Sequence, residues 1–313
     1  MYKIVFSIAA HERYESIVDL VENLNKFNNN CLIIIHLSTA FCNNSLISEE
    51  KFNTIINGYE NVVLNPNRQK TSLFSQFLVH FVNFCYAKQN FAFEYFSISS
   101  SNDLYLKEGF YESVRNFDYL NEPKEMKRSK WVHFDKAKND PLVQTVFQKN
   151  NVSHFLVSYL EGTIYKKDIF DRICSNFTLE ELQSYIYKYP VDELVITSLC
   201  FKYSSNGGYG RAIKNGVGRL FVNRRTIKKV LKSSNKFGVK RINRDFYDYQ
   251  RVFIRERITK DLSVYQTLGL KTTNTNPLIY YFKDLWGTII ARLTSFLSIG
   301  RFKLRLFFRK KSK

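Results

Sequence analysis

Along the first hundred residues, short unbroken apolar runs alternate with longer stretches whose apolar positions recur every three or four residues. KIVFSIA (3–9), CLIIIHL (31–37), NVVLN (61–65) and FAFEYFSIS (91–99) are of the first kind. Apolar runs of that length predict strands buried on both faces. ERYESIVDLVENLNKF (12–27) puts Ile17, Val18, Leu20, Val21 and Leu24 at helical spacing, and SLFSQFLVHFVNFCYAKQ (72–89) reads as a long amphipathic helix. Strands alternating with helices predict an α/β fold with a mixed, mostly parallel sheet flanked by helices. Ligands of such sheets bind outside the carboxyl ends of the strands. That rule points to His11, to His36–Ser38 and to SSSNDLYLKEG (99–109).

The second half is more mixed. VSYLEGTIY (157–165) reads as a strand, KKDIFDRICSNF (166–177) and LEELQSYIYK (179–188) as helices, and PVDELVITSLCF (190–201) as a helix opening on two carboxylates. Acids in a first turn suit the helix dipole, so Asp192 and Glu193 have a structural reading as well as a chemical one. No domain boundary is evident before about residue 255, which gives a catalytic domain at 1–255 and an extension at 256–313. In that extension Phe282, Leu285, Trp286, Ile289, Ile290, Leu293, Phe296 and Leu297 share one helical face, interrupted by Lys283 and Arg292. No stretch there reaches the roughly 18–20 uncharged apolar residues of a spanning helix. The pattern fits an amphipathic helix lying on an anionic membrane surface, or one packed on the domain.

Charge sharpens this picture. The chain carries a formal net charge of +19 over 313 residues, and residues 202–260 hold 17 Lys and Arg against three acids. Such an imbalance predicts an anionic partner: a phosphate-bearing substrate, nucleic acid or a membrane surface. Five widely spaced cysteines without a C-x-x-C pair read as free thiols in a reducing compartment. The sequence has no G-x-S-x-G, no H-E-x-x-H and no phosphate-binding glycine loop, and no known nucleic-acid motif accompanies the basic residues. GGYGRAIKNGVGR (207–219) supplies arginines that can clamp phosphates. A sugar-nucleotide-dependent transferase accounts for most of these features. It needs a cleft at the strand ends, cations for a leaving diphosphate and a carboxylate base. A D-x-D metal motif is absent, although Asn102-Asp103 can be a degenerate version.

Several segments resemble, in order, those of the core-2/I-branching β-1,6-N-acetylglucosaminyltransferase family with its xylosyltransferase and bacterial relatives. KIVFSIAAHERYESIVDLVENL is similar to the family's opening strand, histidine and first helix, and CLIIIHLS to the strand ending in I-H-x-D. NPNRQKTSLFSQFLVHFVNF resembles the N-R segment, where Arg68 falls, and YFSISSSNDLYLK the S-G-x-D-[YF]-P-[LI]-K segment. EGTIYKKDIFDRI resembles G-S-x-[WY] and its helix, YPVDELVI the S-P-D-E signature, and VLKSSNKFGVKRIN the L-x(5)-F-A-x-K-F segment. The resemblance spans residues 3 to about 243.

The resemblance implies a GT-A-like fold and an inverting glycosyltransferase that works without metal, magnesium or manganese staying open. It implies Glu193 as catalytic base beside Asp192. Lys240 would hold the donor diphosphate with an arginine, Arg219 or, behind it, Arg211. Asp103, Asn102, Gly162, Thr163 and Tyr165 would line the donor and acceptor cleft with His11, His36, Ser38 and Arg68. The expected donor is a UDP-sugar, N-acetylglucosamine first. The expected acceptor is a glycan or lipid-linked glycan of a bacterial surface, reached from the cytoplasmic face of the membrane. Departures leave the donor open: the I-H-x-D aspartate is Ser38, Thr71-Ser72-Leu73 replaces W-G-G, and Tyr105 replaces the proline. The alternatives are a metal-dependent transferase using xylose, galactose or glucose, and a basic nucleic-acid-binding protein.

Overall fold

The computed structural model describes residues 1–240 apart from 11–12, 42–44, 46, 73, 129–130 and 216–223, with backbone alone for Arg224 and Arg225. His11, Arg219 and the extension expected at 256–313, with its boundary at 255, lie outside the described residues.

The chain opens with β1 (Tyr2–Ala10), α1 (Tyr14–Phe27), β2 (Cys31–Leu37), α2 (Glu49–Asn57), β3 (Val62–Leu64), α3 (Gln76–Asn90) and β4 (Phe93–Ser100). It continues with β5 (Asp103–Tyr105), α4 (Phe110–Val114), β6 (Tyr119–Asn121), β7 (Lys124–Glu125), α5 (Phe134–Lys138), α6 (Pro141–Lys149) and β8 (Leu156–Val157). The last described elements are β9 (Ile164–Lys166), α7 (Lys167–Cys174), α8 (Leu179–Ser184), α9 (Val191–Tyr203), β10 (Gly207–Tyr209), β11 (Ile213–Asn215), α10 (Arg224–Lys232) and β12 (Gly238–Lys240).

A seven-stranded sheet in the order β10-β6-β9-β4-β1-β2-β3 forms the middle layer. β1, β2, β3 and β4 run parallel, and β9 runs against both its neighbours, β4 and β6. The unbroken apolar runs are explained by burial on both faces. Ile33 and Ile35 of β2 join Phe6 and Ile8 under α1, whereas Leu32 and Ile34 join Val5 and Phe96 against α3 and α7. Each such side chain removed from water stabilises by roughly 1.5–3 kcal/mol, so the two cores clamp the sheet between helical layers. One group of polar residues in this interior is joined by hydrogen bonds. Asn83 on α3 donates to Ser7 Oγ at 2.9 Å, Ser7 meets His80 Nδ1 at 2.8 Å, and Asn65 donates to Asn83 at 2.8 Å.

Three segments differ from the sequence reading; the helix expected over 179–188 ends at Ser184, where Tyr185 turns extended at φ −68° and ψ 133°. The helix expected from residue 72 starts at Gln76, because the Ser72 amide bonds Ser75 Oγ at 2.6 Å and makes a turn first. The strand expected over 157–165 is broken. The Thr163 amide and hydroxyl both donate to Leu160 carbonyl, at 2.9 and 2.6 Å, and Gly162 takes φ 78°. Among the described residues no helix is long and apolar enough to cross a membrane.

A second sheet, β11-β12-β5, sits at the carboxyl end of β4. β12 pairs antiparallel with β5, setting Lys240 opposite Asp103. Its neighbour β11 is entered over Gly162: the Ala212 amide bonds the Gly162 carbonyl at 2.6 Å, and a Cβ at 162 would lie 2.4 Å from Ile213 N. Only glycine fits that crossing and its positive φ at little cost. Gly162→Ala is expected to lower unfolding free energy by at least about 2 kcal/mol in denaturant titration; an unchanged midpoint would contradict the crossing.

Candidate active site

The strand directions gather chemistry at one edge of the main sheet. Asp103 follows the carboxyl end of β4, Glu122 that of β6 and Arg211 that of β10, while Glu161 precedes the reversed strand β9. α9 opens beside them, its Glu193 carbonyl accepting from the Ser158 amide at 3.1 Å. The helix is apolar nearly all round and sunk in the core. Ser198 Oγ bonds the Leu156 amide and carbonyl at 2.9 and 3.0 Å, which docks α9 on β8. The start of α9 is therefore fixed, and with it Glu193.

Glu193 faces a cleft of about 250 Å³ that it lines with Trp131, Tyr159, Glu122, Arg211 and Lys214. Trp131 Nε1 donates to Glu193 Oε2 at 3.3 Å, and Trp131 is itself held edge-on by His133 and Tyr189 at 5.6 and 6.0 Å between centroids. Burial pushes the Glu193 carboxyl from an ordinary 4.5 to about 8, with Asp192 and Glu161 adding repulsion and Trp131 and Lys240 opposing it. A helix N-terminus favours a carboxylate by only about 0.3–1 kcal/mol. The upward shift corresponds to several kcal/mol, so desolvation wins. A cleft carboxyl titrating near neutral pH can take and give a proton at little energetic cost.

Asp192 is not the helix cap; Pro190 holds that position and gives no side-chain cap. Asp192 is 4% exposed, and its Oδ1 has no hydrogen-bond partner. Burial raises it to about 7, with its own amide and that of Glu193 pulling it down. Asp103 is fully buried, accepts from the Ser100 amide and hydroxyl at 2.9 and 3.1 Å, and is likewise raised to about 7 by burial. Between them Lys240 Nζ bonds Glu161 Oε1. Burial alone would raise Glu161, yet the charge and hydrogen bond of Lys240, its own amide and Arg211 bring it down to about 2.

The residues expected at the site fall into three groups. Glu193 and Arg211 share the cleft; Asp192 and Lys240 act on the Glu193 carboxyl by charge, and Asp103 is coupled to Lys240 and Glu161. His36, Ser38 and Arg68 form a separate cluster at the end of β2. His36 Nε2 accepts from the Gln69 amide at 2.8 Å, Ser38 Oγ accepts from the Ala40 and Thr71 amides, and Arg68 donates to the Leu37 and Ser38 carbonyls. They staple the 66–71 loop to β2, and none of the three lines the cleft. Thr163 and Tyr165 are fully buried; the Tyr165 hydroxyl accepts from Asn121 at 3.2 Å inside the core. Asn102 sits in the turn between β4 and β5. Among the described residues no group of three or more His, Cys, Asp or Glu is placed to hold a metal ion.

Sequence reasoning passed over Glu161, Glu122, Lys236, Trp131 and Tyr159. The Glu161-Gly162 pair was the available signal, since an acid next to a glycine interrupts an otherwise apolar run.

No family model matches this sequence, and no curated protein matches it. Among solved structures the chain is similar to the apo structure of WbbM, a bifunctional glycosyltransferase, at 13% identity and a TM-score of 0.43. The match covers 91% of this chain and 52% of that one, so this chain spans about half its length.

Three carboxyls, Asp103, Asp192 and Glu193, titrate higher folded than unfolded. The folded state therefore binds more protons between about pH 4 and 8, and stability falls as pH rises through that window. Glu193→Gln removes one such contribution. Calorimetry should find its Tm near wild type at pH 4 and a few degrees higher at pH 9; an equal shift at both would refute the assignment.

Proposed function

We propose that this chain is an inverting, GT-A-like glycosyltransferase that moves a sugar from a UDP-sugar to a hydroxyl of a bacterial cell-surface glycan. N-acetylglucosamine is the first candidate for the sugar, and lipopolysaccharide, capsule and exopolysaccharide are the candidate acceptors. The observation that carries the reading is Glu193, a half-buried carboxyl lining a cleft with Lys124, Arg211 and Lys214 at the carboxyl ends of the strands. Glu193 in its ionised form takes the proton of the acceptor hydroxyl as that oxygen attacks the anomeric carbon. The bond from that carbon to the diphosphate oxygen breaks on the opposite face, which inverts the configuration. Arg211, with Lys240 behind it, offsets the charge that develops on the leaving diphosphate. At pH 7 a carboxyl titrating at about 8 is ionised in roughly a tenth of molecules, but its higher basicity makes each ionised copy a better proton acceptor.

The basic amphipathic pattern of residues 277–313 supports placement at the inner face of the cytoplasmic membrane, where a lipid-linked acceptor would be met. The transferase is taken to work without a divalent metal, Lys and Arg filling that role.

Thermal-shift screening against nucleoside-diphosphate sugars should identify the donor, and no stabilisation by any of them would count against the reading. Glu193→Gln should retain donor binding and lose at least about 10³-fold in kcat; normal turnover would remove Glu193 as the base. For the native chain, kcat/KM should rise with pH and level off above about 8. Activity should persist in EDTA, whereas an absolute need for manganese would favour the metal-dependent alternative.

A further inference from the structure

Arg211 and Lys236 converge on a single carboxylate oxygen. Arg211 Nε lies 3.4 Å from Glu122 Oε2, and Lys236 Nζ lies 3.3 Å from the same atom. Both cations are largely withdrawn from water, with side-chain exposures of 8% and 15%, whereas Glu122 keeps 29% and lines the cleft. The cations are also fixed from behind. Arg211 Nη1 donates to the Glu161 carbonyl at 3.3 Å, its guanidinium lies 5.3 Å from the Tyr159 ring centroid, and Lys236 donates to the Arg211 carbonyl at 3.0 Å.

This pairing is longer than the tight lysine–aspartate pairs of the same molecule and shorter than Arg68–Glu49 at 3.6 Å. Lys88 meets Asp171 at 2.6 Å and Lys166 meets Asp118 at 2.8 Å, the distances of charge-assisted bonds. Glu122 matches neither, and it offers Arg211 one oxygen instead of the two-oxygen grip a guanidinium favours. Two withdrawn cations meet this one carboxylate directly; Lys124 and Lys214 line the cleft with Glu125 and Glu193, and the ionised Glu161 also feels the charge of Arg211. Burial holds Lys236 below its ordinary pKa, and Arg211 and Lys214 add repulsion that Glu122 only partly relieves. Withdrawn charges are costly unless well compensated. An anion carrying two or more charges on several oxygens compensates this pair better than one glutamate.

We propose that Glu122 is a placeholder for the anionic ligand: a diphosphate entering the cleft displaces its carboxylate from Arg211 and Lys236, and Glu122 turns to solvent. The identity of the ligand as a donor diphosphate rests on the transferase reading, but the exchange does not. Glu122 then sets a threshold for entry. Singly charged anions such as acetate or chloride gain too little from the two cations to evict it, while a diphosphate gains enough.

Calorimetric titration of the full chain with inorganic diphosphate at fixed ionic strength tests the exchange. Glu122→Gln should bind about tenfold more tightly than the native chain, since one charged competitor has been removed. Equal or weaker binding overturns the proposal, because a glutamate that merely props Arg211 in place would weaken binding when removed. If the glutamine variant does not fold, Glu122→Asp draws the carboxylate back by one methylene and should shift affinity in the same direction. Lys236→Gln in the otherwise native chain should weaken binding by a similar factor, and unchanged affinity there overturns the proposal independently. Absence of diphosphate binding by the native chain also overturns it, while turnover of Glu193→Gln still decides the transferase reading separately.

Discussion

One ammonium group organises the electrostatics of the site. The Lys240 charge acts on Asp103, Glu161, Asp192 and Glu193, lowering each of the four. Glu161 takes the direct bond and is held ionised. The other three are left where burial outweighs the more distant cation, so they titrate near or above neutrality. Without Lys240 the edge of the sheet would hold four buried or half-buried acids, of which Glu161 also feels Arg211. The position of β12 is thus an electrostatic requirement as much as a topological one. Pairing β12 with β5 delivers the cation, and the passage of β11 over Gly162 delivers β12.

Much of the scaffold is legible in the chain because both cores demand continuous apolar strands. CLIIIHL is a strand over those same residues, and KIVFSIA and FAFEYFSIS differ from theirs by one or two positions. The start of α9 is legible for the opposite reason: two acids after a proline mark a helix start whatever surrounds it. In two places where the reading failed, a short-range hydrogen bond overrode the pattern, Ser72 with Ser75 and Thr163 with Leu160.

The site was legible one residue at a time and illegible as a set. Glu193 and Arg211 could be named from the chain, but the partner of Lys240 lies 79 residues away, and Arg211 and Glu122 are 89 apart. No local period encodes such pairs; they follow from strand order, which places five separate chain segments at one edge. His36, Ser38 and Arg68 illustrate the converse. They stand at a strand end, where the rule for parallel sheets directs a search, yet their polar atoms meet the backbone of a neighbouring loop.

The small polar group inside the sheet has a consequence for how the strands find one another. Ile, Leu, Val and Phe are nearly interchangeable neighbours, so runs such as CLIIIHL and KIVFSIA carry little information about alignment. Ser7, Asn83 and Asn65 do carry it. Sliding β1 by one residue would turn Ser7 to the opposite face and break its hydrogen bonds with Asn83 and His80, each at about 0.5–1.5 kcal/mol. Asn83 also donates to the Ile34 carbonyl of β2 at 3.4 Å, and Asn65 follows β3. A serine and two asparagines thereby set the register of three strands, and with it the level at which their carboxyl ends meet.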